Sequence, residues 1–148
     1  MGRLIAAIVV GYIVMFVFIF VTFSAAYLAM GTDGAFQPGS YEVSGLWIVL
    51  SLVLGIAASI VAGIVAAALA RGVRGSRALA VVVLILGLAM AIPSLSDSAG
   101  DRPEVRSADV GNMEAMKYAH QPTWMALLNP FLGAVFVVVG GTLRKQWS

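Results

Sequence analysis

The sequence contains no cysteine, and it has few charged residues for its length. Without cysteine the chain cannot form a disulfide or a cysteine-ligated metal cluster, and it cannot perform thiol catalysis. Charged residues make up 11% of the 148 residues and hydrophobic residues 61%, whereas soluble domains carry about 25% charged residues. A water-soluble fold could not cover this much apolar surface, so the composition predicts a membrane protein.

Four long segments contain no Asp, Glu, Lys, Arg or His. These apolar runs are Leu4–Met30, Leu46–Ala70, Ala78–Ile92 and Thr123–Leu143. A helix needs about 20 apolar residues to cross a hydrocarbon core of ~30 Å. The sequence therefore predicts one integral membrane domain over residues 1–148, an all-α transmembrane four-helix bundle with an outer loop at residues 94–121.

The first and third runs depart most from the usual length. The first has 27 residues, which is longer than the apolar region of a signal peptide at about 7–15 residues, so we expect a retained span. The third has 15 residues and covers only ~23 Å at 1.5 Å per residue. We expect Pro93 to end it, with the long side chain of Arg77 reaching the headgroups from its other end and Leu95 adding apolar length past the proline.

The charged residues are divided unevenly between the segments that separate the runs. If the N-terminus is cytoplasmic, the inside holds no acidic residue and six basic ones: Arg3, Arg71, Arg74, Arg77, Arg144 and Lys145. The outside then holds three basic residues and all seven acidic ones. Cytoplasmic segments are enriched in Lys and Arg, so we expect both termini inside.

Two further groups of residues fit this orientation. Three arginines of the inner turn, Arg71, Arg74 and Arg77, are candidates to contact anionic lipid headgroups. Aromatic residues cluster near the outer ends of the runs, as in an interfacial belt; they are Tyr27, Tyr41, Trp47, Tyr118 and Trp124.

Small residues recur every four positions along the second run, at Gly55, Ser59, Gly63 and Ala67. This spacing places them on one helix face, where small side chains let a neighbouring backbone approach closely. The face could pack within the bundle or form the interface of a homo-oligomer. We favour packing within the bundle, because a four-helix bundle must pack this helix in any case.

The fourth run contains Asn129 followed by Pro130. Pro130 cannot donate a hydrogen bond to the carbonyl of Ala126, so we expect a kink. Asn129 is the most polar side chain in any run, and its amide needs a partner in lipid. We favour an interhelical hydrogen bond over the alternative, a ligand or ion contact at a broken helix.

The outer loop offers one segment with helical spacing and no metal site. We hypothesise that Asp109–Ala119 forms a short helix on the membrane surface, because Val110, Met113 and Met116 share one face; the alternative is a flexible loop, since such short helices are marginal in water. The lone His120 has no second His or Cys nearby, so the sequence predicts no metal site, no cofactor and no catalytic residue.

The alanine- and glycine-rich Gly55–Arg71 segment combines with a fourth run that carries Asn129-Pro130, Gly140-Gly141 and a final Arg144-Lys145. In this layout the chain resembles small bacterial four-span integral membrane proteins with no assigned activity. The resemblance implies an inner-membrane location and no particular mechanism. The chain lacks the first-span acidic residue of small multidrug exporters and the paired cysteines of thiol-oxidising membrane proteins.

We therefore expect the lipid bilayer as a partner, together with a second copy of the chain or a membrane or periplasmic protein, and no nucleic acid. The favoured interpretation is a binding, assembly or accessory protein that acts through helix packing or its outer loop. The alternative is a small carrier, or a protein that binds a lipid or small molecule in a cavity beside the fourth run. An enzyme ranks third, because the chain has one His and no Ser-His-acid set can be placed around it.

Overall fold

The computed structural model describes residues 1–95, 105–106, 114 and 117–146. It contains four long helices: α1 (Gly2–Ala35), α2 (Gly45–Ala70), α3 (Arg74–Leu95) and α4 (Thr123–Gln146). All four are long and apolar enough to cross a membrane, so the chain is a multi-pass membrane protein. The predicted all-α four-helix bundle is confirmed, and within the described ranges the only β pairing consists of two isolated bridges.

The helices do not all contact one another. Helices α2 and α3 pack against each other, and each of them also packs against α1 and α4; the described parts of α1 and α4 share no contact. Helices α1 and α4 therefore lie on opposite sides of the α2–α3 pair. We call the end with the α1–α2 and α3–α4 connections the loop end, and the end with the N-terminus and the α2–α3 turn the turn end.

Local polar contacts fix where α1 ends and α2 begins. Gly31 leaves helical geometry (φ 68°, ψ 179°), a conformation open to glycine because it lacks a Cβ. The break falls directly after the predicted boundary at Met30. The Ser44 hydroxyl accepts a hydrogen bond from the Trp47 N–H at 3.1 Å and donates one to the Gly34 carbonyl at 2.6 Å, so one side chain caps α2 and holds it to the end of α1.

The prediction that Pro93 ends the third helix is wrong, because α3 extends to Leu95 with Pro93 inside it. Proline removes the hydrogen bond to the carbonyl four residues earlier, and its ring crowds that carbonyl, but only two residues of α3 follow Pro93 and depend on that turn. At its other end α3 begins at Arg74, four residues before the apolar run. The bilayer limits the length of the apolar run, whereas the helix can continue beyond it. With 22 residues, α3 is ~33 Å long.

Two other predictions concern Pro130 and the outer loop. α4 continues as one helix through Pro130, whose ring packs closely against Gly87 of α3, and the kink expected there stays a prediction. The surface helix proposed at Asp109–Ala119 lies mostly outside the described residues and stays a prediction. Within it, the Tyr118 N–H donates to the Glu114 carbonyl at 3.3 Å.

The core lies in the turn half of the bundle, where small residues bring the helices together. Its fully buried members are Ala7, Ala62, Ala66, Leu79 and Val137. A Cβ added to Gly63 would collide with the Val137 carbonyl, and one added to Gly140 would collide with the Ile60 carbonyl. The backbones of α2 and α4 are therefore in direct contact here, which maximises van der Waals packing between membrane helices.

Candidate ligand-binding cavity

A cavity of about 420 Å³ lies among all four helices in the loop half of the bundle. Its length along α4, from Met125 to Gly133, is ~12 Å at 1.5 Å per residue. Every helix contributes to the lining, which consists of Tyr12, Met15, Ile19, Phe23, Ser51, Leu52, Gly55, Ile56, Ser59, Val83, Gly87, Met90, Ala91, Gln121, Met125, Ala126, Asn129, Pro130, Leu132 and Gly133. We call this space the central cavity.

The central cavity is lined by two helices that do not pack against each other. Both α1 and α4 line it, although no Cα atoms of their described parts lie within 8 Å of each other. The α2–α3 pair lies between them, so the cavity reaches both sides of that pair.

Asn129 lines the central cavity and is exposed. Its side chain forms no hydrogen bond with any described residue, so the interhelical hydrogen bond that we favoured is not made within the described chain. The hydroxyls of Ser51 and Ser59, also in the lining, donate to their own helix at Ile48 (2.9 Å) and Gly55 (2.8 Å). The Asn129 amide thus remains available to a bound molecule.

The small-residue stripe of α2 changes role along its length. Gly63 and Ala67 are buried against α4, and Ser59 is buried where the cavity begins. A Cβ added to Gly55 would meet no atom within 4 Å, because Gly55 lies in the cavity wall. The stripe therefore packs within the chain in the turn half and leaves space in the loop half.

A second, aromatic groove of about 600 Å³ adjoins the central cavity and shares Ile19, Phe23 and Gln121 with it. Along α1 its lining includes Phe16, Phe20, Phe23 and Tyr27, at spacings of four, three and four that place them on one helix face. This aromatic stripe is visible in the sequence as a spacing, but it was not among the predicted features.

The aromatic-belt interpretation is wrong for Tyr27 and Tyr41, which are buried inside the protein. Tyr27 packs edge-to-face on Trp47, with ring centroids 5.9 Å apart, and on Phe36 at 6.3 Å. Tyr41 packs on Tyr118 at 5.4 Å. Such pairs are more stable than their buried area alone would make them, so these rings hold the loop end together instead of resting among headgroups.

Arg106 fastens the α3–α4 connection to the α1–α2 connection. Its side chain is only 4% exposed. The guanidinium donates to the Ser40 carbonyl and to the Asp33 carboxylate, both at 3.1 Å, and lies 5.8 Å from the centre of the Phe36 ring. Its backbone N–H donates to the Gly39 carbonyl at 2.9 Å. No local sequence pattern sets Arg106 apart from the other basic residues of that loop.

Backbone pairing completes this closure at the loop end. The His120 N–H donates to the Tyr41 carbonyl at 2.9 Å, and the Val43 N–H donates to the His120 carbonyl at 3.1 Å. We call the paired segments, residues 32–44 with Arg106 and residues 118–121, the loop cap. Ala119 and Gln121 of the loop cap line the aromatic groove, so the cap forms the wall of the groove at the loop end.

The three arginines proposed to contact lipid headgroups are not equivalent. Arg71 lines a third cavity, at the turn end. Arg74 and Arg77 are exposed on the first turn of α3 and do not line it. Among the described residues, no three His, Asp or Glu side chains lie close enough to hold a metal ion together.

Comparison of the chain with protein-family models, with curated proteins and with solved structures finds no match. The resemblance to small bacterial four-span proteins therefore rests on the residues that suggested it. Any functional argument must begin from the cavities themselves and from the side chains in their walls.

Proposed function

We propose that the protein binds an amphipathic small molecule, a lipid or a lipid-like compound, in the central cavity. The observation that supports this most directly is Asn129, a side-chain amide in an apolar wall with no hydrogen-bond partner among the described residues. An unsatisfied amide in hydrocarbon costs several kcal/mol, on the order of 2–7. A bound molecule with one hydrogen-bonding group opposite Asn129 would remove this cost.

The ligand chemistry follows from the rest of the wall. Apart from Asn129, Gln121, Tyr12 and the two serines, the lining side chains are apolar, so the body of the ligand is hydrocarbon. Gln121 precedes α4, and Asn129 lies six residues after the first residue of α4, or ~9 Å along its axis. A molecule with its polar end near Gln121 and a second polar group near Asn129 matches this spacing.

Binding is better supported than ion-driven transport. Intramembrane ionisable residues are the usual mark of proton and ion pathways, and the four apolar runs contain none. The protein would therefore hold or shield its ligand, or pass it along the membrane, without coupling to an ion gradient.

We also propose that the protein resides in a bacterial inner membrane with both termini and the turn end in the cytoplasm. The support is the excess of Lys and Arg at the turn end, together with the positive-inside rule. Alkaline phosphatase fused after Gly39 or Gly100 should be active, and fusions after Gly75 or at the C-terminus should be inactive. The opposite pattern would reverse the orientation and place the central cavity in the cytoplasmic leaflet.

Filling the central cavity tests the ligand directly. Gly55→Leu should place its side chain in the empty space beside Gly55 and reduce the molecule retained through purification in mild detergent by at least about tenfold, equivalent to ~1.4 kcal/mol. The readout is mass spectrometry of the extracted ligand per mole of protein. The matched control is Val53→Leu, because Val53 is on the same helix, is exposed and is outside the lining.

The Asn129 contact is tested separately. Asn129→Leu keeps the apolar wall and removes the amide, so the ligand should be retained about two- to tenfold less, as expected for one lost hydrogen bond of ~0.5–1.5 kcal/mol. If wild type, Gly55→Leu and Asn129→Leu all yield the same extract as Val53→Leu, the cavity holds no specific ligand and the proposal fails.

A second proposal is the accessory role, in which the loop cap is the contact surface for a membrane or periplasmic protein. The supporting observation is the buried Arg106, which gives the cap a defined shape outside the helices. A stoichiometric protein that co-purifies with wild type and is lost from Arg106→Ala would support this role. A co-purifying protein that also remains with Arg106→Ala would count against the cap.

A further inference from the structure

A third cavity lies at the turn end, far from the central cavity, and basic side chains line it. It measures about 450 Å³ and lies between the α2–α3 turn and the last turn of α4. Arg71 borders it on one side, and Arg144 and Lys145 border it on the other. We infer that it binds a phosphate group, carried by an anionic lipid headgroup or by a free phosphate compound. This inference does not depend on the proposed ligand of the central cavity.

The backbone at the end of α2 prepares this site. Arg71 adopts the left-handed conformation (φ 55°, ψ 43°), which turns the chain so that Arg71, Gly72 and Val73 all border the cavity. The Gly72 N–H donates to the Ala67 carbonyl at 2.9 Å, and the Arg71 N–H donates to the Ala68 carbonyl at 3.2 Å. These bonds satisfy terminal carbonyls of α2, whose partial negative charge would otherwise repel an anion.

The charged side chains that line the cavity among the described residues are Arg71, Arg144 and Lys145, and all three are basic. No Asp or Glu occurs in residues 43–96 or 115–146, so the α2–α3 turn and α4 contribute no acidic side chain to the wall. Guanidinium groups bind phosphate through paired, charge-assisted hydrogen bonds, and lysine adds a compact positive charge. Basic pockets between membrane helices on the cytoplasmic side are suited to phosphate-bearing headgroups.

The competing interpretation is that these charges serve orientation alone. In that case their exact position would not matter, and any two basic residues at the turn end would be equivalent. Arg74 and Arg77 provide the comparison, because they are exposed at the same end and do not line the cavity. Replacing either pair removes the same charge from the same end of the molecule.

The experiment is native mass spectrometry in a neutral detergent with added phosphatidylglycerol, phosphatidylcholine or inorganic phosphate. Wild type should bind one phosphatidylglycerol at least about tenfold more tightly than phosphatidylcholine. The double variant Arg71→Gln/Arg144→Gln should lose this preference, and Arg74→Gln/Arg77→Gln should keep it within about twofold.

Each outcome bears on the inference. If inorganic phosphate binds with the same dependence on Arg71 and Arg144 and no lipid is preferred, the anion site stands and its ligand is a free phosphate compound. If both double variants weaken binding equally, surface charge explains it and the inference is overturned. It is also overturned if wild type binds phosphatidylglycerol no more tightly than phosphatidylcholine and does not bind inorganic phosphate. This outcome is measured on the wild-type protein and does not depend on whether any variant folds.

Discussion

The turn half and the loop half of the bundle use similar residues and pack in opposite ways. In the turn half, Gly63 and Gly140 bring the backbones of α2 and α4 into direct contact. In the loop half, Gly55 on the same stripe meets nothing within 4 Å, and the four helices surround a cavity. A stripe of small residues therefore permits close approach without requiring it, and the facing helix decides which outcome occurs.

The two halves also differ in what closes them. The turn half is closed by small-residue contacts between helices, with Ala62, Ala66 and Leu79 fully buried. The loop half is closed from above by the loop cap, through the buried Arg106 and the pairing of His120 with Tyr41. The central cavity lies below this cap, where the helices are not drawn together by small-residue contacts.

The largest expected effect is in the close-packed half. Gly63→Ile should destabilise the protein by about 3 kcal/mol or more, because the new side chain must displace the Val137 backbone. Val65→Ile is the control, since Val65 points about 200° away at 3.6 residues per turn and its change should stay within about 0.5 kcal/mol. Equal melting temperatures of the two variants in detergent would remove the contrast between the halves.

The next effect concerns the cap. Arg106→Ala removes a buried guanidinium with two side-chain hydrogen bonds, so it should cost about 2 kcal/mol and increase protease cleavage at the loop end. Its partner Asp33 is 97% exposed, so Asp33→Asn should change stability by less than about 0.5 kcal/mol. Equally protease-resistant variants would show that the pairing of Tyr41 with His120 closes the loop end without Arg106.

The smallest expected effect has the opposite sign. Gly55→Ala should stabilise the protein by about 0.5–1 kcal/mol, because alanine favours the helix over glycine and its Cβ meets open space. The same substitution at Gly63 should destabilise it, since a Cβ there collides with the Val137 carbonyl. Thermal unfolding in one detergent would compare the two, and a shared sign would mean that both glycines have similar surroundings.

The sequence predicted the helices well because each depends on local composition. Apolar runs without charge set the spans, and Gly31 ends the first helical stretch where the apolar run ends. Pro93 was misjudged because a proline near a helix end removes one hydrogen bond that few later residues depend on. The starting residue of α3 was not predicted, because the run was defined by the absence of charge. Arg74 is charged and therefore lies outside the run, although it is part of the helix.

The cavities could be predicted only in part. Asn129 was identified from its polarity, and the structure places it in a cavity wall. The emptiness beside Gly55 depends on which helix faces it, and the basic cavity joins Arg71 to Arg144 and Lys145 across more than 70 residues of chain. Single-residue patterns do not carry such long-range information, and nothing in the spacing of Arg106 indicated its burial.

The missing contact between α1 and α4 makes bilayer thickness a variable of the ligand site. Residues 2–30 of α1 form ~44 Å of helix, longer than the ~30 Å hydrocarbon core, so α1 must tilt or protrude. Because α1 packs against α2 and α3 and not against α4, a change in its tilt would move the part of the cavity wall that α1 forms while the contact of Gly63 with α4 stays intact. A thicker membrane would hold α1 more upright, so the lipid composition around the protein would help to set the width of the cavity.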